Sequence, residues 1–202
     1  MKLGLYYRCI VTDKNGKVVK RTHWKKSRSF VLQFLQHIQF MSHTAYAVIR
    51  TQTYITDVGD VSQLMRSDPA LSSVFSIFAP DNIDTYGFVV GTDDGTLYAL
   101  ANGNYKLGAE IAHGTGAGQL DYGAHSQTAP AVVGANVDWV VSRTFYNGSG
   151  ATITVKEIGI YCSTMNQAAT QCFFCIVRDI ITPISVANTQ TLTVQYTFRT
   201  TV

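Results

Sequence analysis

The sequence predicts a mainly β protein: an antiparallel β-sandwich or jelly-roll-like body with an N-terminal β-hairpin and one amphipathic helix. Three observations predict this fold. The chain ends on a strict alternation of apolar and polar residues, several short β-prone runs precede it, and Asn-Gly or Gly-rich turns separate those runs. Side chains on a strand point alternately to opposite faces, so the alternation makes one apolar and one polar face. Many short strands with turn signals are typical of sandwiches.

An N-terminal hairpin is the first predicted element. Residues 5–11 and 17–19 are β-prone runs, and Asp13-Lys14-Asn15-Gly16 lies between them. Asn-Gly between two such runs is the strongest short hairpin signal, because both residues tolerate the turn conformation.

One helix is predicted after the hairpin, with Ser27 or Ser29 as its N-cap. Apolar residues recur there at steps of three and four, which places them on one helical face. That face is Phe30, Val31, Phe34, Leu35, Ile38 and Met41, and the opposite face is Gln33, Gln36, His37 and Gln39. We expect the apolar face to be buried, and the polar face carries almost no charge, so it is compatible with being covered as well.

The rest of the chain predicts eight or nine strands after residue 45. Residues 48–55 favour a strand, and a short helical turn is predicted near 67–74. Nine glycines among residues 87–123 separate short strand-like runs such as 86–90 and 96–100. Gly-rich spacing of this kind is typical of turns and long loops.

Two long runs, 137–146 and 152–161, flank Asn147-Gly148-Ser149-Gly150, which predicts a second hairpin. The apolar phase changes within the second run, so we expect a β-bulge near Glu157. Residues 173–181 and 191–200 complete the strands. In the last one the predicted inner face is Leu192, Val194, Tyr196 and Phe198, and the outer face is Thr191, Thr193, Gln195, Thr197 and Arg199.

The predicted organisation has two parts: residues 1–44, a basic hairpin plus helix packed on the body, and residues 45–202, a β-sandwich assembly domain. Charged residues make up only 14% of the chain, against about 25% in soluble domains. Low charge favours a surface partly covered by partners, although a Ser/Thr/Asn/Gln-rich soluble β-protein would show it too.

Positive charge is concentrated at the N-terminus. Residues 1–28 hold nine Lys or Arg and one acid, while residues 29–202 hold seven Lys or Arg and twelve acids. A basic segment beside a mildly acidic body is suited to an acidic protein surface, to nucleic acid, or to a second copy of the chain. The predicted partner-binding residues, here called the basic arm, are Lys17, Lys20, Arg21, Trp24, Lys25, Lys26 and Arg28.

A protein partner is favoured over nucleic acid for the basic arm. Clustered cations with an aromatic residue also suit phosphates and bases, but no nucleic-acid-binding module follows in the sequence. No secretory signal and no membrane helix are apparent, so folding in a cytoplasm is expected.

The four cysteines are expected to be reduced, buried thiols. Cys172 and Cys175 form one CxxC with two phenylalanines between them, and a zinc site or redox centre needs more than that. No metal or cofactor is therefore expected.

No motif predicts catalysis. The Gly-rich residues 114–118 lack the Lys-Ser/Thr of a phosphate loop, and loop aspartates are explained by turns. His113 and His125 are close enough in sequence to approach each other, but no serine nucleophile motif accompanies them. A glycosidase carboxylate pair is left open, with only Glu110 and Glu157 as glutamates. We expect a protein that is not an enzyme.

Three stretches carry a resemblance to a known class of proteins. They are 141–161 (VSRTF, NGSG and TVKEIGIY), 177–198 (VRDI, PISV and TLTVQYTF) and 107–123 (LGAEIAHG and QLDYG). Together they resemble structural proteins of tailed bacteriophages over roughly residues 87–202. The motifs point to the virion and not to one place in it.

The resemblance implies a non-enzymatic virion component that forms symmetric oligomers, often trimers, after assembly in the host cytoplasm. A capsid-associated role, as a decoration or minor capsid protein, is favoured. A tail, neck or fibre-associated protein is the first alternative. A glycan- or receptor-binding module is the second, with Tyr98, Tyr105 and Tyr122 as exposed aromatic contacts.

Overall fold

The computed structural model describes residues 2–27, 29–42, 53–65 and 75–201. Within these ranges the chain forms one helix and twelve strands. The elements are β1 (Lys2–Thr12), β2 (Val18–Arg21), β3 (Lys25–Lys26), α1 (Leu32–Ser42), β4 (Thr53–Thr56), β5 (Ser62–Met65), β6 (Gly87–Gly91), β7 (Asp121–Gln127), β8 (Ala131–Val133), β9 (Asn136–Tyr146), β10 (Ile153–Met165), β11 (Gln171–Val186) and β12 (Thr191–Thr201). The predicted mainly β fold is confirmed.

Two antiparallel sheets form the body. The large sheet has the order β2-β1-β12-β9-β7, with β3 beside β2 on the edge of β1 and β8 beside β7 on the edge of β9. The small sheet has the order β11-β10-β6, and β4 pairs with β5 separately. No described helix is long and apolar enough to cross a membrane.

The core lies between the two sheets. Leu192, Val194 and Tyr196 of β12 are all buried, which confirms the inner face predicted from the alternation. Phe198 is only partly buried, and Thr197, predicted on the outer face, is buried as well. The Tyr196 ring packs edge-on against Phe88 of the small sheet, with centroids 5.1 Å apart. Its hydroxyl bonds to the Asp179 carboxylate at 3.0 Å. These contacts hold the sheets face to face as a sandwich-like body.

The N-terminal hairpin is confirmed, and it is part of the large sheet. The Asp13 N–H donates to the Lys17 carbonyl at 2.9 Å, and Gly16 takes a φ of +78° that favours glycine. Strand β1 pairs with β12 along its whole length. The predicted division after residue 44 falls at residues 43–52, outside the described part of the chain.

The predicted bulge near Glu157 is confirmed, because the register between β10 and β11 shifts between Val155 and Glu157. Strands at 53–56 and 87–91 are confirmed too. Residues 48–52 and the predicted helical turn at 67–74 lie outside the described residues.

The hairpin predicted at Asn147 is wrong. Strand β9 ends in the large sheet and β10 begins in the small sheet, so this turn is a corner between the sheets. Asn147 is buried, and its amide donates to the carbonyls of Ala151 and Val186 at 2.8 and 2.7 Å. Asn-Gly favours a tight turn both in a hairpin and at a corner between sheets. Which strands β9 and β10 pair with decides whether the turn joins two paired strands.

The predicted capping of the helix by Ser27 or Ser29 is also wrong. Both serines are buried, and Phe30 forms a bridge with Val177 on the edge of the small sheet. Helix α1 then begins at Leu32, whose N–H donates to the Asn102 carbonyl at 2.7 Å. A distant loop therefore satisfies one of the first N–H groups of the helix, which have no partner within the helix itself.

The predicted orientation of the helix is confirmed only in part, because Val31 is buried and Phe34 packs against the core. Gln33 and His37 of the polar face are buried too, while Leu35 of the apolar face is 64% exposed. Gln33 donates from its amide to the Thr56 carbonyl, and the His37 ring packs on Phe174 with centroids 4.8 Å apart. The exposed apolar residues of the helix are Leu32, Leu35, Ile38 and Met41.

The strand expected at 96–100 is absent, since those described residues form a loop. The Asp93 carboxylate accepts N–H bonds from Gly95, Leu97 and Tyr98 at 3.0–3.1 Å. One carboxylate thus satisfies three backbone donors that a strand would have paired with a neighbour.

Candidate functional site

The basic arm forms one edge of the large sheet. Strands β2 and β3 pair with β1 only, so their other side faces outward. All the described cations of the arm are exposed: Lys17, Lys20, Arg21, Lys25 and Lys26. Arg28 lies outside the described residues. The arm is thus a rigid strand edge that presents positive charge.

A structural role explains part of this charge. Lysines on edge strands discourage other chains from pairing with the edge, and here Val18 and Val19 are exposed between them. Edge protection does not explain Trp24, whose large side chain is 42% exposed in the gap between β2 and β3.

Trp24 is held in place by Arg8 on the outer face of the sheet. The guanidinium carbon of Arg8 lies 4.4 Å from the centre of the Trp24 ring, and its Nε donates to Gln195 Oε1 at 2.5 Å. A cation over an indole ring is attracted by the negative ring face. Trp24 is therefore positioned by a hydrogen-bonded partner.

A second fixed pair lies beside Trp24. Arg199 binds Asp138 through two N–H···O bonds, Nε to Oδ1 and Nη2 to Oδ2, each 2.6 Å long. These bonds raise the pKa of Arg199 and lower the pKa of Asp138. The Arg199 guanidinium also lies 5.2 Å from the Tyr6 ring centre.

These side chains surround a groove of about 300 Å³, here called the outer groove. Its lining residues are Tyr6, Trp24, Lys26, Asp138, Val140, Thr197 and Arg199. Lys26, Tyr6, Thr197 and Val140 are direct cross-strand neighbours on β3, β1, β12 and β9. The groove thus runs across four strands.

Only Trp24 and Lys26 of the outer groove belong to the predicted site. The alternation of the last strand had placed Thr197 and Arg199 on the outer face, so a signal for them existed. Tyr6 lies on the first strand of the predicted N-terminal hairpin, beside the basic arm. Asp138 and Val140 lie on β9, and no local pattern relates that strand to the arm.

A second pocket, of about 280 Å³, lies near the Gly-rich loops. Asp84, Glu110 and Tyr161 line it, together with Val58, Thr85, Ala112 and Phe173. Glu110 as a residue is exposed. Desolvation of its carboxyl nevertheless raises its pKa to about 7, with the charges of Asp84 and Glu157 adding to the effect. The Asp84 carboxylate accepts the His113 N–H at 2.8 Å.

The most strongly buried ions hold a loop and not a ligand. Arg178 donates to Glu157 at 3.0 Å and to Asp93 at 2.9 Å, and none of the three is exposed. Glu157 also accepts the N–H groups of Gly108 and Ala109 at 3.1 and 2.8 Å. A Cβ on Gly108 would lie 2.0 Å from the Asp93 carboxylate. This network ties the 93–109 loop to the small sheet.

Arg143 also holds neighbouring backbone in place, but none of its hydrogen-bond acceptors is a carboxylate. Its five N–H groups donate to five backbone carbonyls between 2.5 and 3.2 Å away. The acceptors belong to Pro80, Ile83, Tyr86, Phe88 and Gly123. Burial lowers the pKa of Arg143 to about 10, so the side chain is still charged at neutral pH.

His113 and His125 bond to different parts of the backbone. His125 Nε2 accepts the Phe88 N–H at 2.9 Å, and burial lowers its pKa to about 4, so it is neutral at pH 7. His113 Nδ1 accepts the Tyr122 N–H at 3.2 Å. The His125 ring thus bonds to the backbone of β6, and the His113 ring bonds to the backbone of β7.

The four cysteines are all buried free thiols, as the sequence predicted. Burial raises the pKa of Cys9 to about 12 and raises those of Cys162 and Cys175 as well. Among the described residues no group of three or more His, Cys, Asp or Glu is placed to hold a metal ion.

One residue proposed as a sugar contact does not fit that role. Tyr122 is fully buried, and its hydroxyl donates to the Ile111 carbonyl at 2.6 Å. Tyr98 and Tyr105 are half-buried and pack against each other with ring centroids 6.2 Å apart. Tyr122 is therefore not an exposed aromatic contact, while Tyr98 and Tyr105 are partly exposed.

No protein-family model, no curated protein and no solved structure matches this chain. The resemblance to tailed-phage structural proteins rests on the sequence motifs alone. Several of those motif residues are the buried framework just described, among them Arg143, Glu157 and Arg178.

Proposed function

We propose that the chain is a non-enzymatic structural subunit of a virion, most closely suited to a capsid-associated role. It would associate with other copies of itself, with a trimer as the expected form, and bind other virion proteins of the capsid or tail. The basic arm would contact an acidic protein surface. Assembly would take place in the host cytoplasm.

The observation that carries this proposal is an exposed apolar surface at the start of α1. Leu32 and Leu35 are 54% and 64% exposed, and Leu97 and Leu100 of the neighbouring loop are 77% and 49% exposed. The Leu32–Asn102 backbone bond brings that loop to the helix. Clustered exposed apolar residues mark interaction surfaces in soluble proteins.

The distribution of charged residues between the interior and the surface supports the same proposal. Arg143, Arg178, Glu157, Asp93 and Asp179 are all buried, so a chain with 14% charged residues has still fewer on its surface. A soluble monomer ordinarily keeps more surface charge. Interior ions that hold loops in place leave a rigid, weakly charged exterior suited to packing against neighbours.

Self-association gives the first test. We expect the purified chain to form a defined oligomer at micromolar concentration in sedimentation velocity, and L35E/L97E to shift it to monomer, because both substitutions put charge into an apolar contact. The control is Q36E, which adds charge to the same helix without removing an apolar side chain. A wild-type chain that stays monomeric at that concentration contradicts the proposal.

Attachment to particles gives the second test. The double reversal K25E/K26E is expected to reduce the amount of chain that co-sediments with purified capsids, since both lysines are exposed on the β3 edge. The fold should be intact by circular dichroism. The control is K14E, which reverses one lysine in the turn of the same hairpin, and equal occupancy for both variants would refute the proposed role of the arm.

A further inference from the structure

We propose that the outer groove binds a carboxylated sugar, such as a uronic acid unit of an acidic glycan. This goes beyond the proposed structural role, because it assigns a small-ligand site to the outer face of the large sheet. The groove volume of about 300 Å³ lies at the lower end of the range for small-ligand pockets, ~300–1,000 Å³. One ring-sized ligand unit suits that space.

The charges of the groove favour an anion. Lys26 and Arg199 are cations, Asp138 is the single acid of the lining, and Arg8 adds a further cation beside Trp24. The Lys26 ammonium donates no hydrogen bond to any residue that the structure describes, and Arg199 uses only Nε and Nη2 on Asp138. A carboxylate would gain charge-assisted hydrogen bonds from such donors.

The other side chains favour a sugar ring as the carrier of that carboxylate. Trp24 offers a large, part-exposed aromatic surface, on which the apolar C–H face of a pyranose can pack. The Asp138 carboxylate is 14% exposed and lines the groove. Each of its oxygens keeps a further lone pair beside its bond to Arg199, so it can accept a hydrogen bond from a ring hydroxyl. An aromatic surface with convergent polar groups is the usual composition of a small-ligand site.

The groove is also held in shape before any ligand binds. Arg8 positions Trp24, and Asp138 positions Arg199, each through the contacts described above. Gly4 leaves room for the Tyr6 ring, since a Cβ there would lie 3.0 Å from it. Rigid side chains lose little freedom on binding, which favours affinity for a small ligand.

Two other anionic ligands fit less well. Single-stranded nucleic acids are bound by successive aromatic residues along a basic groove, whereas Trp24 is the one aromatic residue of this lining that is more than a third exposed. An acidic peptide added as a strand needs a continuous edge, and β3 is only two residues long before the chain leaves the edge of β1.

Isothermal titration calorimetry of the purified full chain tests the proposal with four probes. They are a tetrasaccharide of alternating glucuronic acid and N-acetylglucosamine, a neutral N-acetylglucosamine tetrasaccharide, an oligo-dT octamer and a hexaglutamate peptide. We expect saturable one-site binding of the acidic tetrasaccharide and affinity at least about tenfold lower for the neutral one. Tighter binding of the octamer or the peptide would overturn the sugar assignment.

Substitutions distinguish binding in the outer groove from attraction to the general positive charge of the N-terminal region. K26M and W24A are expected to weaken binding of the acidic tetrasaccharide about tenfold or more. K14M, which removes an exposed lysine outside both the groove and the basic arm, should leave it within about twofold. W24F replaces W24A if the latter does not fold. No saturable binding by the wild type, or equal losses in K14M and K26M, would refute the site, while the self-association test stays independent.

Discussion

Replacing Arg178 with alanine is expected to destabilise the protein by about 3–5 kcal/mol, because it leaves two buried carboxylates without their cation. Glu157 and Asp93 are both buried beside it. The loss is a large part of the ~5–15 kcal/mol that stabilises a typical domain. Urea unfolding followed by tryptophan fluorescence measures it, and we expect the 93–109 loop to lose amide protection first.

The control for this prediction is K156M, which breaks the exposed contact between Lys156 and Asp94, 3.1 Å long. We expect K156M to be indistinguishable from wild type, because exposed pairs contribute little. R178K tests geometry, since a lysine keeps the charge but cannot reach Glu157 and Asp93 with a fork of donors. An R178A variant as stable as K156M would contradict the role given to the network.

Replacing Arg143 with methionine is the second change of large expected effect, again about 3–5 kcal/mol, as for other broken buried polar networks. Methionine fills much of the space but donates no hydrogen bond, so five carbonyl groups lose their partner. Four of them belong to residues 80–88, and one belongs to β7. Hydrogen exchange should therefore rise there before global unfolding.

R199M is the comparison for R143M, because it also removes an arginine from β-structure with a definite set of hydrogen bonds. Arg199 lies on the outer face with about a third of its side chain exposed. Water can replace it as a partner, so we expect a loss of about 1 kcal/mol or less. If R143M cost no more than R199M, the carbonyl cluster would not be a framework of the fold.

Local patterns predicted those elements whose signal lies within a few neighbouring residues. The turn at Gly16, the bulge at Glu157 and the inward side chains of β12 are of this kind. Each follows from backbone preference or from the two-residue period of a strand, and neither depends on which strand lies alongside. The buried thiols followed in the same way from apolar neighbours and the absence of metal-ligand spacing.

The helix and the Asn147 turn could not be predicted by the same means. Apolar periodicity says that a helix has two faces, but the surface that the rest of the chain offers decides which one is buried. Here Thr56 supplies an acceptor for Gln33 and Phe174 supplies a ring for His37. Two polar side chains thereby became buried, and leucines remained outside.

The outer groove also combines residues that the sequence identified with residues that only the fold brings together. Its lysine and tryptophan belong to the charged segment that the sequence identified, and Tyr6 lies on the first strand of the N-terminal hairpin. Asp138 and Val140 come from β9, far away along the chain. The register of β1 with β12 and of β12 with β9 brings them together. A pairing of strands between the two ends of the chain leaves no mark in local sequence.

By itself, then, the sequence determined that this protein is an antiparallel β-sandwich-like molecule with a basic N-terminal edge, because strand period, turn chemistry and charge are local properties. Tertiary structure alone decided which helix face is exposed, which arginines are buried, and which side chains form the outer groove. The physical reason is that burial and hydrogen-bond partners depend on contacts between residues distant in the chain. Such contacts are settled only when the two sheets have packed.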